Sequence, residues 1–311
     1  MKSVYFSILA LLIVLSSCSA DDVEQNDEQL VTLNLLDPVL VTNTSSTRSA
    51  IDKWGWEYFY FYVCKHGTMS PAINSQQRVL QRYYYSYWET PIKVNAPAGQ
   101  DVDVYVTNSP NYYTLSPDNV QSWSGSSDLL YAEKQTIYGV SSTNRTINLK
   151  FHHAYTCIRV RLASIYNNDF GSYNDVYLYD SENKLPLENQ VDITTGEITV
   201  KSYRGYISER AYSIPVYQNA ETSFSKTDFM FPEMDFVAGN LSLDFSFNKN
   251  RIPKFVIPSV FKDENGNDVT VTRFERGKRY TITLLINNRC LIEPVSFLIE
   301  DWVPETINLK L

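Results

Sequence analysis

Residues 240–248 read NLSLDFSFN, and this alternation of apolar and polar side chains decides the class of the fold. Its apolar residues share one parity: Leu241, Leu243, Phe245 and Phe247. In a β-strand, residues of one parity lie on one face of the sheet, so this segment predicts a strand with one buried face. The same period recurs in DVDVYVTN at residues 101–108 and in YTITLLIN at residues 280–287, which predicts a chain built from strands.

Turn signals separate the alternating runs. VFKDENGNDVTV carries Asn265-Gly266, a dipeptide typical of a tight β-hairpin, and a second hairpin is expected to turn at Thr195-Gly196. Only two stretches suggest short helices with a Ser or Asp cap: SPDNVQSW at residues 116–123 and SSDLLYAEK at residues 126–134. Many strands joined by antiparallel turns predict an all-β protein of two β-sandwich domains.

The strand pattern changes parity near residue 150. In TINLKFHHAYTCIRVRL, which starts at Thr146, the apolar positions are first odd and then even: Ile147, Leu149 and Phe151, then Ile158, Val160 and Leu162. A strand cannot change parity without an extra residue, so we expect a bulge or break at residues 152–155. We therefore predict an amino-terminal β-sandwich over residues 30–150 and a carboxyl-terminal one over residues 151–311.

Residues 1–17 are expected to be a signal peptide that lies outside the fold. Lys2 precedes an apolar run that is too short to span a bilayer as a helix. The run ends in LSSC at Cys18, which resembles the bacterial lipoprotein signal. The resemblance implies that lipoprotein-processing enzymes acylate Cys18, and that two or three acyl chains then anchor the protein stably to the outer membrane.

Residues 18–29 form an acidic tether in this interpretation. SADDVEQNDEQ, which follows Cys18, holds five carboxylates and no Lys or Arg, and such a segment cannot bury enough apolar surface to fold. An acidic cluster at this place resembles a signal for export to the outer cell face in anaerobic Gram-negative bacteria. A plain solvated tether is the other interpretation, and both leave the fold unchanged.

The net charge argues against one class of partner, and the number of cysteines limits the possible disulfides. A net charge of −8 and a pI near 5.0 argue against nucleic acid as a partner, because nucleic-acid binding selects basic patches. Once Cys18 is acylated, an odd number of cysteines remains, namely Cys64, Cys157 and Cys290. Buried thiols are the preferred interpretation, and a disulfide between Cys64 and Cys157 is the alternative.

No motif points to catalysis, a metal or a cofactor. His152 and His153 are adjacent, so on a regular strand they face opposite ways and cannot jointly bind one metal, and His66 stands alone. DENGND at residues 263–268 departs from a calcium loop, because its glycine is fourth instead of sixth. We therefore predict that the protein is not an enzyme and has no cofactor.

Four segments of the sequence together resemble a known protein family. DLLYAEK at residues 128–134 precedes LKFHHAYTCIRVRL at residues 149–162, and FERGKRYTITLLIN at residues 274–287 precedes FLIEDW at residues 297–302. Their order and spacing, with the lipoprotein signal, resemble the fimbrillin-like lipoproteins of gut and oral anaerobes. The resemblance implies two tandem transthyretin-like Greek-key β-sandwiches and a place in a fimbria on the cell surface. It implies a pilus subunit of the stalk or tip, with other pilus subunits as partners.

In that family a trypsin-like surface protease cuts after an arginine and removes the lipid, the tether and a first strand. The resemblance implies that this cleavage falls between Arg48 and Ser49 and that the removable strand is residues 29–41, where Val31, Leu33 and Leu35 are expected on one face. The vacated groove then accepts a strand from a neighbouring subunit. Candidate donor side chains lie far along the chain: Val295, Phe297, Ile299, Ile307, Leu309 and Leu311. A basal anchor, which is left open as an alternative, would keep Cys18 and escape cleavage.

The alternative function is a surface lipoprotein that does not polymerise and binds a glycan or another host ligand. Exposed aromatic side chains stack on sugar rings, and QRYYYSYWE at residues 81–89 is expected at an edge or loop. Its candidate ligand-facing residues are Tyr83, Tyr84, Tyr85, Tyr87 and Trp88. For the other aromatic run, WGWEYFYFY at residues 54–62, core packing is favoured because large exposed apolar patches are rare.

Overall fold

A computed structural model of the chain describes residues 29–36, 39–40, 49–50, 57–73, 79–84, 87–89, 93–108, 120–124, 128–165, 174–211, 214–217, 224–247, 250–287, 289 and 291–302. Every regular element within these residues is a β-strand, so the predicted all-β class is confirmed. In the same residues we find no helix that is long and apolar enough to cross a membrane.

The strands are numbered in chain order. Those up to residue 153 are β1 (Leu30–Thr32), β2 (Asn34–Leu35), β3 (Val39–Leu40), β4 (Ser49–Ala50), β5 (Glu57–Lys65), β6 (Val79–Tyr84), β7 (Tyr87–Glu89), β8 (Asn95–Pro97), β9 (Val102–Thr107), β10 (Val120–Ser124), β11 (Leu130–Ala132), β12 (Gln135–Ile137), β13 (Thr146–Ile147) and β14 (Lys150–His153). The later ones are β15 (Thr156–Ser164), β16 (Asn174–Asp180), β17 (Leu185–Asp192), β18 (Ile198–Arg204), β19 (Tyr206–Ala211), β20 (Ser225–Phe231), β21 (Met234–Asp235), β22 (Leu241–Phe247), β23 (Asn250–Val256), β24 (Val260–Lys262), β25 (Asp268–Thr270), β26 (Arg273–Phe274), β27 (Lys278–Ile286) and β28 (Ile292–Asp301).

The described strands form several sheets. The largest runs in the order β4-β3-β14-β11-β9-β5-β6-β7, with β12 added on β9. Two further sheets have the orders β20-β15-β27-β28-β24-β25 and β19-β16-β22-β23. A smaller sheet joins β10, β17 and β18, and three short pairs are β1-β8, β2-β13 and β21-β26. Most neighbours are antiparallel, as the hairpin signals predict, but β2-β13, β3-β14, β15-β27 and β24-β28 are parallel.

Both predicted short helices are wrong where the structure describes them. Val120–Ser124 is a strand that pairs with β17. Leu130–Ala132 is a strand that pairs with both β9 and β14, and its three residues are all buried. Strand pairing and burial outweigh a local capping signal, because intrinsic propensity is weak beside tertiary contacts.

The predicted strand faces lie inside two apolar cores. The first core contains the apolar face of residues 101–108: Val102, Val104 and Val106. The second contains the two faces predicted downstream: Leu241, Leu243, Phe245, Phe247, Tyr280, Ile282, Leu284 and Ile286. Burial of a large aliphatic or aromatic side chain contributes about 1.5–3 kcal/mol, so these alternating faces make a large contribution to the stability of the fold.

The aromatic run at residues 54–62 packs in the interior, as predicted, where its side chains are described. Phe59 and Phe61 lie in the first core. Tyr60 and Tyr62 face the other way and are also buried, in a cluster with Cys64, Tyr105 and Ile193. Ile193 belongs to the turn between β17 and β18, so this hairpin covers the second face of the sheet.

The predicted break near residue 150 is confirmed at residues 154–155, between β14 and β15. The first core draws on residues 31–151 and the second on residues 158–299. A third cluster lies between them and contains Tyr131, Tyr155, Cys157, Val191 and Trp302, among others. The tandem transthyretin-like sandwiches, with a boundary near residue 150, stay a prediction.

The cysteines that the structure describes are buried thiols. Cys64 and Cys157 are both free, so the alternative of a disulfide between them is wrong. Burial, together with the nearby Asp103 carboxylate, raises the pKa of Cys64 to about 11. A thiol with a raised pKa carries little thiolate at neutral pH and is chemically inert, which fits a packing role. Cys18 and Cys290 lie outside the described residues.

Both predicted hairpins are confirmed. In the first, Asp263 accepts hydrogen bonds from the backbone amides of Asn265 and Asn267, and Gly266 has φ of 81°. In the second, Gly196 has φ of 71° and donates its amide to Asp192. The ring of Tyr131 lies against Gly196, so that a methyl group added there would overlap it. Glycine is therefore needed at residue 196 for two reasons, its left-handed backbone and this close approach.

Gly196→Ala should destabilise the protein more than Gly266→Ala. Both substitutions place alanine at a positive φ, which costs about 1–2 kcal/mol. Only the first also forces a methyl group into a neighbouring ring, because no atom lies within 4 Å of a side chain at Gly266. Overpacking adds about 1–3 kcal/mol. Urea unfolding measures both values, and equal losses for the two variants would contradict the packing of Tyr131 on this hairpin.

Candidate functional site

Residues 29–36, here called the plug segment, bridge two strands that do not touch each other in the sheet order. Leu30–Thr32 pairs antiparallel with Asn95–Pro97, and Asn34–Leu35 pairs parallel with Thr146–Ile147. Four more backbone bonds of 2.7–3.0 Å extend the contact, to the amide of Ala98 and the carbonyls of Val94, Arg145 and Ile147. We call the surface made by residues 94–98 and 145–147 the groove.

The plug segment buries its apolar face in the first core. Leu33 is 5% exposed, and Val31 and Leu35 pack against the same cluster. Leu30 and Leu36 are 47% and 43% exposed. The prediction that Val31, Leu33 and Leu35 share one face is therefore confirmed, and Leu33 is its deepest member.

Polar side chains fix the register of the plug segment. The Thr32 hydroxyl donates a hydrogen bond of 2.9 Å to Oδ1 of Asn95, and the Asn34 amide donates one of 3.4 Å to the Thr146 hydroxyl. The Arg145 guanidinium donates one of 3.3 Å to the carbonyl of Thr32. Register matters because a shift by one residue would turn Leu33 out of the core. Sequence periodicity did not reveal these contacts, since each joins residues far apart in the chain.

Of the residues proposed for processing, the structure describes Ser49, which lies on β4. Ser49–Ala50 pairs antiparallel with Val39–Leu40, which in turn pairs with Lys150–Phe151. Arg48 and Cys18 lie outside the described residues. A chain cut between Arg48 and Ser49 would hold the plug segment by hydrogen bonds and apolar contacts alone.

Strand β28 completes its own sheet. It pairs with β27 along its length, and Phe297 and Ile299 pack against the second core. Val295 is exposed. Donation of this strand to another molecule would open that core, so the donor side chains predicted at Val295, Phe297 and Ile299 are the weaker candidates. Ile307, Leu309 and Leu311 lie outside the described residues.

The candidate ligand-facing aromatics lie on two paired strands. The backbone of Tyr83 is opposite Trp88 and that of Tyr84 is opposite Tyr87, while Tyr85 lies outside the described residues. Strand β7 is the last in the described order of its sheet. A ligand surface at these residues stays a prediction.

The histidines are separated and each contacts its own carboxylate at 2.9–3.1 Å: His66 with Asp103, His152 with Glu133, and His153 with Asp128. Burial alone would raise the pKa of Asp103, but hydrogen bonds from Thr136 and from the Gly67 amide hold it below its usual value. Among the described residues, no three His, Cys, Asp or Glu side chains are grouped to hold a metal ion. These contacts between histidines and carboxylates stabilise the packing of neighbouring strands and loops.

A comparison with models of protein families shows which family the chain belongs to. A family model described as fimbrillin-like matches residues 56–302. The chain belongs to the fimbrillin-like family. The resemblance inferred from the sequence is thereby confirmed, and this fimbrillin-like chain is a fimbrial-type protein of the cell surface. A search of curated proteins finds no match.

Solved structures share the fold of this fimbrillin-like chain. A candidate cell adhesion protein from Bacteroides ovatus is 16% identical, with a TM-score of 0.57, over 88% of this chain and 99% of that one. A second from Bacteroides uniformis is 15% identical, with a TM-score of 0.55, over the same shares. At this identity the likeness concerns the fold alone.

Leu33→Ala should loosen the plug segment, and Leu36→Ala should not. Removing a buried leucine costs about 2–5 kcal/mol, whereas an exposed substitution stays within about 0.5 kcal/mol. Because the Ala98 amide donates to the carbonyl of Gln29, its hydrogen exchange reports opening of the segment. Faster exchange at Ala98 is expected in the first variant only, and unchanged exchange in both would show that Leu33 does not hold the segment.

Proposed function

We propose that this protein is a stalk or tip subunit of a cell-surface fimbria, exported as a lipoprotein through Cys18 and assembled by strand exchange. A trypsin-like protease cuts between Arg48 and Ser49 and releases the lipid, the acidic tether and the plug segment. The groove then takes up a strand from a neighbouring subunit. In this proposal the outer membrane anchor is temporary.

The plug segment supports the proposal most directly. It is short, it precedes the proposed cleavage site, and it fills the edges of two strands with both backbone bonds and a buried leucine. Its loss would leave unpaired amides and carbonyls beside an open apolar core, and both are costly when they are left unpartnered. An incoming strand of the same alternation would satisfy them again.

Limited trypsin treatment tests the proposal on the chain carrying Cys18→Ser, which removes the acylation site. We expect a new amino terminus at Ser49 and ladders that resist SDS and grow with protein concentration. Arg48→Gln should block both effects, because trypsin cuts after Lys or Arg only. Arg289→Gln is the matched control, since Arg289 is an exposed arginine in a turn away from the plug segment, and it should behave as the parent chain.

Two results would overturn the proposal. One is a fully trimmed chain that starts at Ser49 and remains monomeric at high concentration. The other is ladder formation by the Arg48→Gln variant at the rate of the parent chain.

A further inference from the structure

The outer face of the sheet β19-β16-β22-β23 carries three tyrosines that contact one another. Along β16, Val176 and Leu178 are completely buried in the second core, so residues of the opposite parity lie on the other face of the sheet. Tyr177 and Tyr179 have that parity, and Tyr206 of β19 is paired with Tyr179. The ring centroids of the three tyrosines are 5.5–5.9 Å apart. We call these three tyrosines the aromatic face.

The aromatic face continues as a row of side chains across the sheet. Tyr206 is paired with Tyr179, Tyr179 with Ser242 of β22, and Ser242 with Val256 of β23. The two ends of the row are open to solvent, since Tyr206 is 50% exposed and Val256 is 53% exposed. Neighbouring strands are about 4.8 Å apart, so a row across four strands is about 14 Å long. An exposed apolar surface of this kind commonly marks a binding site.

Charged groups stand beside the rings of the aromatic face. Partial burial raises the pKa of Tyr177, and the nearby carboxylates of Asp175 and Asp244 add to this shift. The Lys254 ammonium group lies 4.3 Å from the centroid of the Tyr179 ring. Hydrogen-bond donors and acceptors are therefore present beside the apolar rings.

The charges of these side chains cancel one another. Arg210 is exposed on β19 and is paired with Asp175. Arg210 and Lys254 together balance the carboxylates of Asp175 and Asp244. Because complementary charge selects a partner, a balanced surface favours a neutral ligand over an anion or a cation.

We propose that the aromatic face binds a neutral oligosaccharide, with one sugar ring stacked on Tyr206 and the next ones along the row towards Val256. The face of a sugar ring presents C–H groups, which carry a slight positive charge, and the face of a tyrosine ring is negative. The hydroxyl groups of the sugar project from the edge of its ring, where they can bond to Asp244 and Lys254. Hydrogen bonds to such charged groups are stronger than those between neutral groups.

The placement of the charges favours a sugar over a protein partner. The buried centre of a protein interface is depleted in charged residues, whereas here Asp244 and Lys254 stand next to the rings. The site is also separate from the candidate aromatics on β6 and β7, which belong to another sheet. It goes beyond the proposed function, because it neither requires strand exchange nor follows from it.

Sugar titrations test the proposal on the full chain carrying Cys18→Ser and Arg48→Gln, so that neither acylation nor trimming at these residues takes place. The probes are neutral linear hexasaccharides of glucose, mannose, galactose and xylose, and a hexasaccharide of galacturonic acid is the anionic control. Isothermal titration calorimetry measures the dissociation constants. We expect a neutral hexasaccharide to bind, and the anionic one to bind about tenfold more weakly or less, because its carboxylates meet those of Asp175 and Asp244.

Substitutions at Tyr206 locate the binding. Tyr206→Ala should weaken it about tenfold, because the stacking ring is removed, whereas Tyr206→Phe keeps the ring and should stay within about threefold of the parent chain. Tyr138→Ala is the matched control, because Tyr138 is a 62% exposed tyrosine beyond the end of β12, and it should bind as the parent chain does. All three variants change exposed side chains, so each should unfold at the urea concentration of the parent chain.

Each outcome decides the proposal. Binding of a neutral hexasaccharide that Tyr206→Ala weakens and Tyr138→Ala leaves unchanged supports it. The proposal is overturned if none of the neutral hexasaccharides binds, if the anionic one binds as tightly, or if Tyr206→Ala leaves the binding unchanged. Self-association of the parent chain that is lost in Tyr206→Ala alone would assign the aromatic face to a protein partner and would also overturn it.

Discussion

Every amide and carbonyl at a buried strand edge needs a hydrogen-bond partner, and in this protein the edges of β8 and β13 find theirs in residues 29–36. Those residues also carry Leu33 into the first core. The rest of the amino-terminal half depends on this contact, because the core is open on that side without it. A segment that is required by the fold and that precedes Arg48 in the chain is suited to be exchanged for another strand.

Contacts outside the plug segment would keep the groove in shape during the proposed exchange. The hairpin of β17 and β18 rests on Tyr131 at Gly196 and covers Tyr60 and Tyr62 with Ile193. Trp302 stacks on His153, which in turn contacts Asp128. These contacts join strands from early and late parts of the chain, so residues from the later part help to stabilise the sheet around the first core. None of them includes a residue of the plug segment, and its removal leaves them intact.

Local patterns in the sequence predicted much of this arrangement. The inward faces at residues 241–247 and 280–286 follow from alternation, and the hairpins at Gly196 and Gly266 follow from turn chemistry. The two short helices were wrong because pairing with distant strands decided their conformation. At the site, alternation predicted Leu33, but not the Thr32–Asn95 and Asn34–Thr146 contacts. A polar partner 63 or 112 residues away in the chain produces no periodic pattern in the sequence.

Amide hydrogen exchange at Ala98 reports whether a strand occupies the groove, because this amide donates to the carbonyl of Gln29 in the plug segment. In the uncut chain it should be protected. After cleavage at Arg48 and release of the segment it should exchange rapidly, and in the assembled ladders it should be protected again. Protection that persists in the trimmed monomer, or that fails to return on assembly, would contradict the exchange of one strand for another in this groove.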